Sequence, residues 1–273
     1  MRQFNLYKKT SYIFLVLILC AGWFSVAWSK HQRIPCATCH NKSENELKEY
    51  TYDESDFPVS SLCLSCHDGG MDVSGLGTPH VVNGQRALAG GSFTSTLVSD
   101  KVGHNIVSVD VKLGLTPPGG ASLSEFGCLS CHDAHQNGNY RSLKKEINGH
   151  TTMVQAEGDP DFQQNVYISG MNDFCGACHE KFNNRSGGRG TRGWMSHPVG
   201  IAISGAEHAD IDHWSRLENK VTQAEYPSAD PDDAYGAQVF CLSCHRAHAS
   251  PHKNAMRWDH ARKPQGCLEC HSF

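Results

Sequence analysis

Six copies of one five-residue pattern, Cys-x-x-Cys-His, constrain this chain more than anything else in it. They are Cys36-Ala-Thr-Cys39-His40, Cys63-Leu-Ser-Cys66-His67, Cys128-Leu-Ser-Cys131-His132, Cys175-Gly-Ala-Cys178-His179, Cys241-Leu-Ser-Cys244-His245 and Cys267-Leu-Glu-Cys270-His271. Twelve of the 13 cysteines fall in them, and every pair is followed directly by His. Random placement of the same Cys and His content would give roughly 0.04 such motifs. A disulfide framework predicts neither the pairing nor the His. Zinc ribbons use paired Cys-x-x-Cys but need no His after each pair.

The spacing has a chemical reason. Two thiols two residues apart can both add to the vinyl groups on one edge of a porphyrin, and the next residue then lies beneath the iron as its proximal ligand. The sequence therefore predicts six covalently bound c-type haems, with His40, His67, His132, His179, His245 and His271 as proximal ligands. The third unit runs on to His135 and the fifth, almost letter for letter, to His248. A His three residues after the proximal one shares its face if the segment is helical. It cannot easily swing to the far side of its own haem, but it can reach a neighbouring iron.

Closing every iron with two imidazoles takes six more of the 17 histidines. His135 and His248 are two. His104, in Gly103-His104-Asn105-Ile106, and His197, in Ser196-His197-Pro198-Val199, have the character of rings that lie against a macrocycle. His31, five residues before Cys36, is the fifth, and the sixth is His260 or His80. His150, His208, His213 and His252 read as solvated.

Hydrophobic residues make up 39% of the chain and there are 26 glycines, which is thin for an ordinary core of this size. Stacked haems would supply the missing apolar material. The expected fold is mainly irregular, with short α-helices wrapped around stacked c-type haems and little β-structure. Val107 to Lys112 alternates as a short strand would, Thr116-Pro-Pro-Gly-Gly120 reads as a turn, Asp159-Pro-Asp161 can start a helix, and Asn183 to Gly193 reads as a flexible basic loop. Cys63 to Cys128 spans 65 residues and Cys175 to Cys241 spans 66, each ending in Cys-Leu-Ser-Cys-His-x-Ala-His. The simplest organisation is a hexahaem region over 30–273, built from two related modules at about 30–150 and 151–273.

Residues 1–29 read as a signal peptide, with an uncleaved N-terminal anchor as the alternative. Arg2, Lys8 and Lys9 precede an apolar run from Tyr12 to Trp28, and Ala27-Trp28-Ser29 suits cleavage. Export agrees with c-type haem attachment outside the inner membrane. Without that segment, 21 basic face 28 acidic residues, a formal charge of -7. Binding nucleic acid through phosphates is excluded on that balance.

The six motifs, the Cys-x-x-Cys-His-x-x-His units and the segment from Phe240 through His248 to Trp258-Asp259 resemble multihaem c-type cytochromes of the doubled-CXXCH kind, which abound in metal-reducing bacteria. The resemblance implies low-potential bis-His haems relaying electrons in the periplasm or toward the cell surface. It also implies other redox proteins as partners, with an outer-membrane conduit or extracellular metal oxides beyond them. The first motif continues Asn41-Lys42 and lacks the local His, a departure from that pattern. Two other functions are open to such a chain: a nitrite- or hydroxylamine-type reductase with one open iron, or a subunit of a haem filament. No Cys-x-x-Cys-Lys is present, and the His supply can close every site. The sequence thus points to an electron carrier rather than an enzyme.

Overall fold

The computed structural model describes residues 31, 34–40, 63–64, 66–67, 79–82, 90–93, 103–104, 106, 112–135, 137–157, 166–183, 188–189, 195–203, 224–225, 227, 236–262 and 265–271. The N-terminal run to Trp28, residues 107–111 and the Asp159-Pro-Asp161 segment lie outside them.

Helices are short and coincide with the motifs. They are α1 Cys36–His40, α2 Cys128–Cys131, α3 Met171–Gly176, α4 Cys241–Cys244 and α5 Gln265–Leu268, and the second motif is helical at Cys63, Leu64, Cys66 and His67. None among the described residues is long and apolar enough to cross a membrane. One turn of helix is what Cys-x-x-Cys-His needs to bring its two thiols to one side. It ends there because His132 and His245 turn extended, at ψ 151 and 159.

The expectation of little β-structure is overturned. Among the described residues, ten strands form five antiparallel pairs: β1 Lys112–Leu115 with β2 Leu123–Phe126, β3 Glu146–Ile147 with β4 His150–Thr151, β5 Gln155–Glu157 with β6 Val166–Ser169, β7 Gly188–Arg189 with β8 Met195–Ser196, and β9 Ile201–Ala202 with β10 Gln238–Val239. Short chain between covalent anchors has few other ways to satisfy its backbone groups. The turns are written locally. Asn148 and Gly149 both take positive φ (51 and 78) between β3 and β4, the mirror-image turn that Asn-Gly favours in a two-residue hairpin. Of the alternating Val107–Lys112 stretch, only Lys112 falls in a described strand. Within the basic stretch 183–193, Gly188 and Arg189 form β7 and pair with Ser196 and Met195.

Single-residue bridges at Glu225, parallel to Tyr167 and antiparallel to Gln238, join β5–β6 to β10–β9. The largest apolar cluster takes Tyr140, Leu143 and Ile147 from before residue 150 and Tyr167, Met171, Phe174, Phe240 and Leu242 from after it. Packing therefore crosses the boundary drawn between the two modules.

The third and fifth units are one structure built twice, 113 residues apart. Ser130 and Ser243 each accept from the backbone N–H three residues earlier, at Gly127 and Phe240, both at 3.0 Å. A strap then returns to each motif. Asp133 donates to Ser142 O (2.7 Å) and Arg246 to Ala255 O (2.8 Å), while Lys144 donates to Cys131 O (2.9 Å) and Arg257 to Cys244 O (2.8 Å). Both straps pass through the left-handed region at matching positions, Arg141-Ser142 and Asn254-Ala255, with φ between 51 and 59. Their side chains share nothing, so the equivalence lies in the backbone.

Candidate haem-binding sites

Four of the proximal histidines are fixed by the same device. His67 Nδ1 donates to Pro79 O (2.8 Å), His132 Nδ1 to Arg141 O (3.2 Å), His179 Nδ1 to Pro118 O (2.9 Å) and His245 Nδ1 to Asn254 O (2.8 Å). A carbonyl can only accept, so Nδ1 carries the hydrogen and Nε2 keeps its lone pair, the state required of a metal ligand. Three candidate distal histidines do likewise. His104 donates to Ala247 O (2.7 Å), His248 to Gly91 O (3.2 Å) and His197 to Pro198 O (2.8 Å).

The local fold supplies these carbonyls. Pro118 lies in a turn, and neither Pro79 nor Pro118 has an N–H to place. The Pro117-Pro-Gly-Gly120 turn closes with Gly120 N donating to Pro117 O at 3.1 Å. It docks on the fourth motif so tightly that a Cβ on Gly120 would run into the Cys178 carbonyl oxygen. At the fifth and third motifs the left-handed strap residues Asn254 and Arg141 turn their carbonyls inward.

Four imidazole pairs stand at nearly one separation. Ring centroids are 5.9 Å apart for His31 and His67, 6.2 Å for His132 and His248, 5.8 Å for His104 and His179, and 6.0 Å for His197 and His271. Two metal–imidazole bonds of about 2 Å on opposite sides of one ion put the ring centroids about 6 Å apart. Each pair joins one proximal histidine to one candidate distal histidine. Among the described residues no group of three or more His, Cys, Asp or Glu could hold a bare metal ion. Paired axial nitrogens beside two thiols suit an iron already held in a porphyrin and do not make a tetrahedral zinc cage.

His248 has an enclosed ring. Phe93 stacks on it at 4.8 Å, and burial first, then His132, pushes its pKa down to about 3. Burial likewise lowers His132 and His67. His260 lies within electrostatic reach of His245, and His80 within reach of His67. His135 is exposed, its backbone N–H held by Asp133 Oδ1 at 3.0 Å. His150 stands exposed in β4, and the His40 side chain lies outside what is described.

The thiols run from motif to motif in sequence order. Cys39 is within electrostatic reach of Cys66, and Cys63 and Cys128 are hydrogen-bonded through their side chains. Cys131 reaches Cys178, Cys175 is hydrogen-bonded to Cys241, and Cys244 reaches Cys270 and Cys267. Burial pushes Cys131 and Cys244 up to about 12, so both are neutral thiols until they are alkylated. All twelve motif cysteines are free of disulfides.

Sequence reasoning missed the carbonyl acceptors at Pro79, Pro118, Arg141 and Asn254, because a backbone carbonyl leaves no mark in residue type. The Thr116-Pro-Pro-Gly-Gly120 turn was a usable signal, while the Arg141 and Asn254 straps carried none.

Residues 235–273, which hold the fifth and sixth motifs, match the family model described as Doubled CXXCH motif. That segment carries the doubled-CXXCH motif, and its Cys-x-x-Cys-His pattern is the kind that holds c-type haem covalently. No curated protein matches the sequence. Among solved structures, the Outer Membrane Cytochrome S filament from Geobacter sulfurreducens aligns over 72% of this chain and 74% of its own, at 20% identity and a TM-score of 0.49. The OmcS nanowires from Geobacter sulfurreducens align over 70% and 72%, at 22% identity and a TM-score of 0.46.

Proposed function

We propose that this chain is a hexahaem c-type cytochrome that relays electrons through six bis-His haems and has no substrate site of its own. The observation that carries the reading is the set of four imidazole pairs at 5.8–6.2 Å, each joining a proximal to a candidate distal histidine. Bound haem supplies a one-electron Fe(III)/Fe(II) couple, and two imidazoles per iron leave no open position for a substrate.

Distal ligands follow a rule of connectivity. His248, carried by the fifth motif, faces the proximal histidine of the third. The same two-site step back takes His135, carried by the third, to His40 of the first. That supplies the motif which lacks a local His. His31, His104 and His197 serve the second, fourth and sixth sites, and His260 serves His245. His80 is left over: the Pro79 carbonyl beside it holds His67 from the proximal side.

The residues around the irons hold and orient rather than react. Carbonyls at Pro79, Pro118, Arg141 and Asn254 fix the proximal rings. The Cys63–Cys128 and Cys175–Cys241 contacts bring the second and third sites, and the fourth and fifth, edge to edge. The run of thiols from Cys39 to Cys270 makes the path linear, from first motif to last. Its ends are the places for donor and acceptor, other redox proteins or an oxidised mineral. The apolar run Tyr12–Trp28 supports export to the periplasm or the cell surface.

Protein-film voltammetry of the holoprotein, with carbon monoxide, nitrite and hydroxylamine added in turn, tests this. The reading requires reversible low-potential waves unchanged by all three. A catalytic wave with nitrite or hydroxylamine would replace it with a reductase.

A further inference from the structure

Glu225 is a buried carboxylate, 6% exposed, in the sheet between the fourth and fifth sites. Its backbone is fully used, donating to Gln238 O at 3.0 Å and accepting from Gln238 N at 2.8 Å. Its side chain is not. The carboxylate takes a backbone hydrogen bond from Met171 at the start of α3, but Oε1 is buried and has no hydrogen-bond partner among the described residues. An unpaired buried carboxylate costs several kcal/mol in its charged form, so it takes up a proton more readily than a solvated one. Burial first, with the Asp173 charge adding to it and the Met171 bond opposing, pushes Glu225 up to about 7.

The surroundings decide what that proton answers to. Asp173 approaches from α3, and Cys241 of α4 lies within electrostatic reach. Tyr167 flanks the backbone from β6, with Arg246 and Arg257 within electrostatic reach of Tyr167. Cys175 is hydrogen-bonded to Cys241, and both thiols become thioethers when haem is attached and then do not titrate. The charges that change during electron transfer are those of the irons whose porphyrins Cys175 and Cys241 hold, and of the two cysteines it is Cys241 that the carboxylate reaches.

We propose that Glu225 is a proton-accepting site coupled to the haem held by Cys241 and Cys244, taking up one proton as that iron gains one electron. The inference rests on the haem reading above. The electron comes from the reducing partner and converts Fe(III) to Fe(II), while the proton comes from solvent and turns the Glu225 carboxylate into the acid. Oxidation reverses both, and no bond to iron is made or broken. The protein thereby carries hydrogen ions with electrons at one point of the relay.

Spectroelectrochemical titration of the full-length holoprotein from about pH 5 to about pH 9, wild type against Glu225→Gln, tests the site. In the wild type, the potential of one haem falls as pH rises through the neutral range. Proton affinity changes about tenfold between redox states, which is about 59 mV for a one-electron couple. Glu225→Gln keeps an oxygen for the Met171 N–H and removes the slope, with haem count and low-spin spectrum unchanged. A slope of the same size in the variant would assign it to haem propionates and overturn the proposal, as would pH-independent potentials in the wild type. If the variant fails to assemble, redox-difference infrared spectra of the wild type decide. A carboxylic-acid band that grows on reduction supports the site, and its absence rejects it. Loss of haem or of reversible waves in the wild type would instead be a failure of the relay reading.

Discussion

His104 and His248 are tied together across 144 residues of chain: the His104 N–H donates to the His248 carbonyl at 2.7 Å, and His104 Nδ1 donates to the adjoining Ala247 carbonyl at 2.7 Å. Their rings face different partners, His179 and His132 respectively. One junction thus sets two candidate axial positions, each with a ligand from the other half of the chain.

Removing either ring should open one iron and only one. His248→Ala is expected to keep the full haem count while one haem turns high-spin and binds carbon monoxide. His104→Ala should do the same at a second haem, and the double variant should show both. Carbon monoxide difference spectra, titrated against total haem, measure this. His248→Met should instead keep that iron low-spin and raise its potential.

Gly103 sits behind both rings with φ at 137, where side chains are strained, and a Cβ there would come within 2.7 Å of the His248 carbonyl oxygen and 2.9 Å of Ala249 Cα. Gly103→Ala should cost on the order of 1–3 kcal/mol. Its signature is that two haems lose low-spin character together, seen by low-temperature electron paramagnetic resonance. An effect confined to one haem would separate the two sites.

Asn254 holds the left-handed position, φ 59, that turns its carbonyl onto His245 Nδ1. Asn254→Val should cost about 1–2 kcal/mol because a branched side chain resists that conformation. Asn254→Gly should cost little. The valine variant should also shift the potential of a single haem, because the hydrogen bond to a proximal imidazole tunes its basicity. Thermal melting and voltammetry of the two variants measure both effects.

Acid should loosen the His248 junction. Its pKa is lowered to about 3, so between there and the ordinary range near 6.5 the folded chain binds fewer protons than the unfolded one. Stability is therefore present above that window and falls as pH drops through it, by up to about 1.4 kcal/mol per pH unit for this one group. An iron bond to Nε2 pushes the same way. Melting curves of wild type and His248→Ala at a series of pH values should converge toward the acid limit.

The six motifs were legible because their chemistry dictates spacing. The two Cys-Leu-Ser-Cys-His-x-Ala-His units could also be read as one device used twice. How far that repeat extends was not visible, since Tyr140-Arg-Ser-Leu143 and Lys253-Asn-Ala-Met256 share a backbone path and no residue pattern. β-Structure was underestimated for a related reason. Periodicity needs several residues to register, and strands such as β3 and β4 have two each. Asn148-Gly149 is nonetheless a hairpin signal that the sequence carries. The partners of His31, His104, His197 and His248 lie beyond sequence inspection altogether, since each comes from a distant stretch of chain.

The central claim is that six haems are each closed by two histidines. Low-temperature electron paramagnetic resonance of the oxidised holoprotein, with a pyridine haemochrome count on the same sample, tests it most directly. The account predicts six haems per chain, all low-spin, with no change on adding carbon monoxide after reduction. A high-spin ferric signal in the wild type, or a count below six, would contradict it.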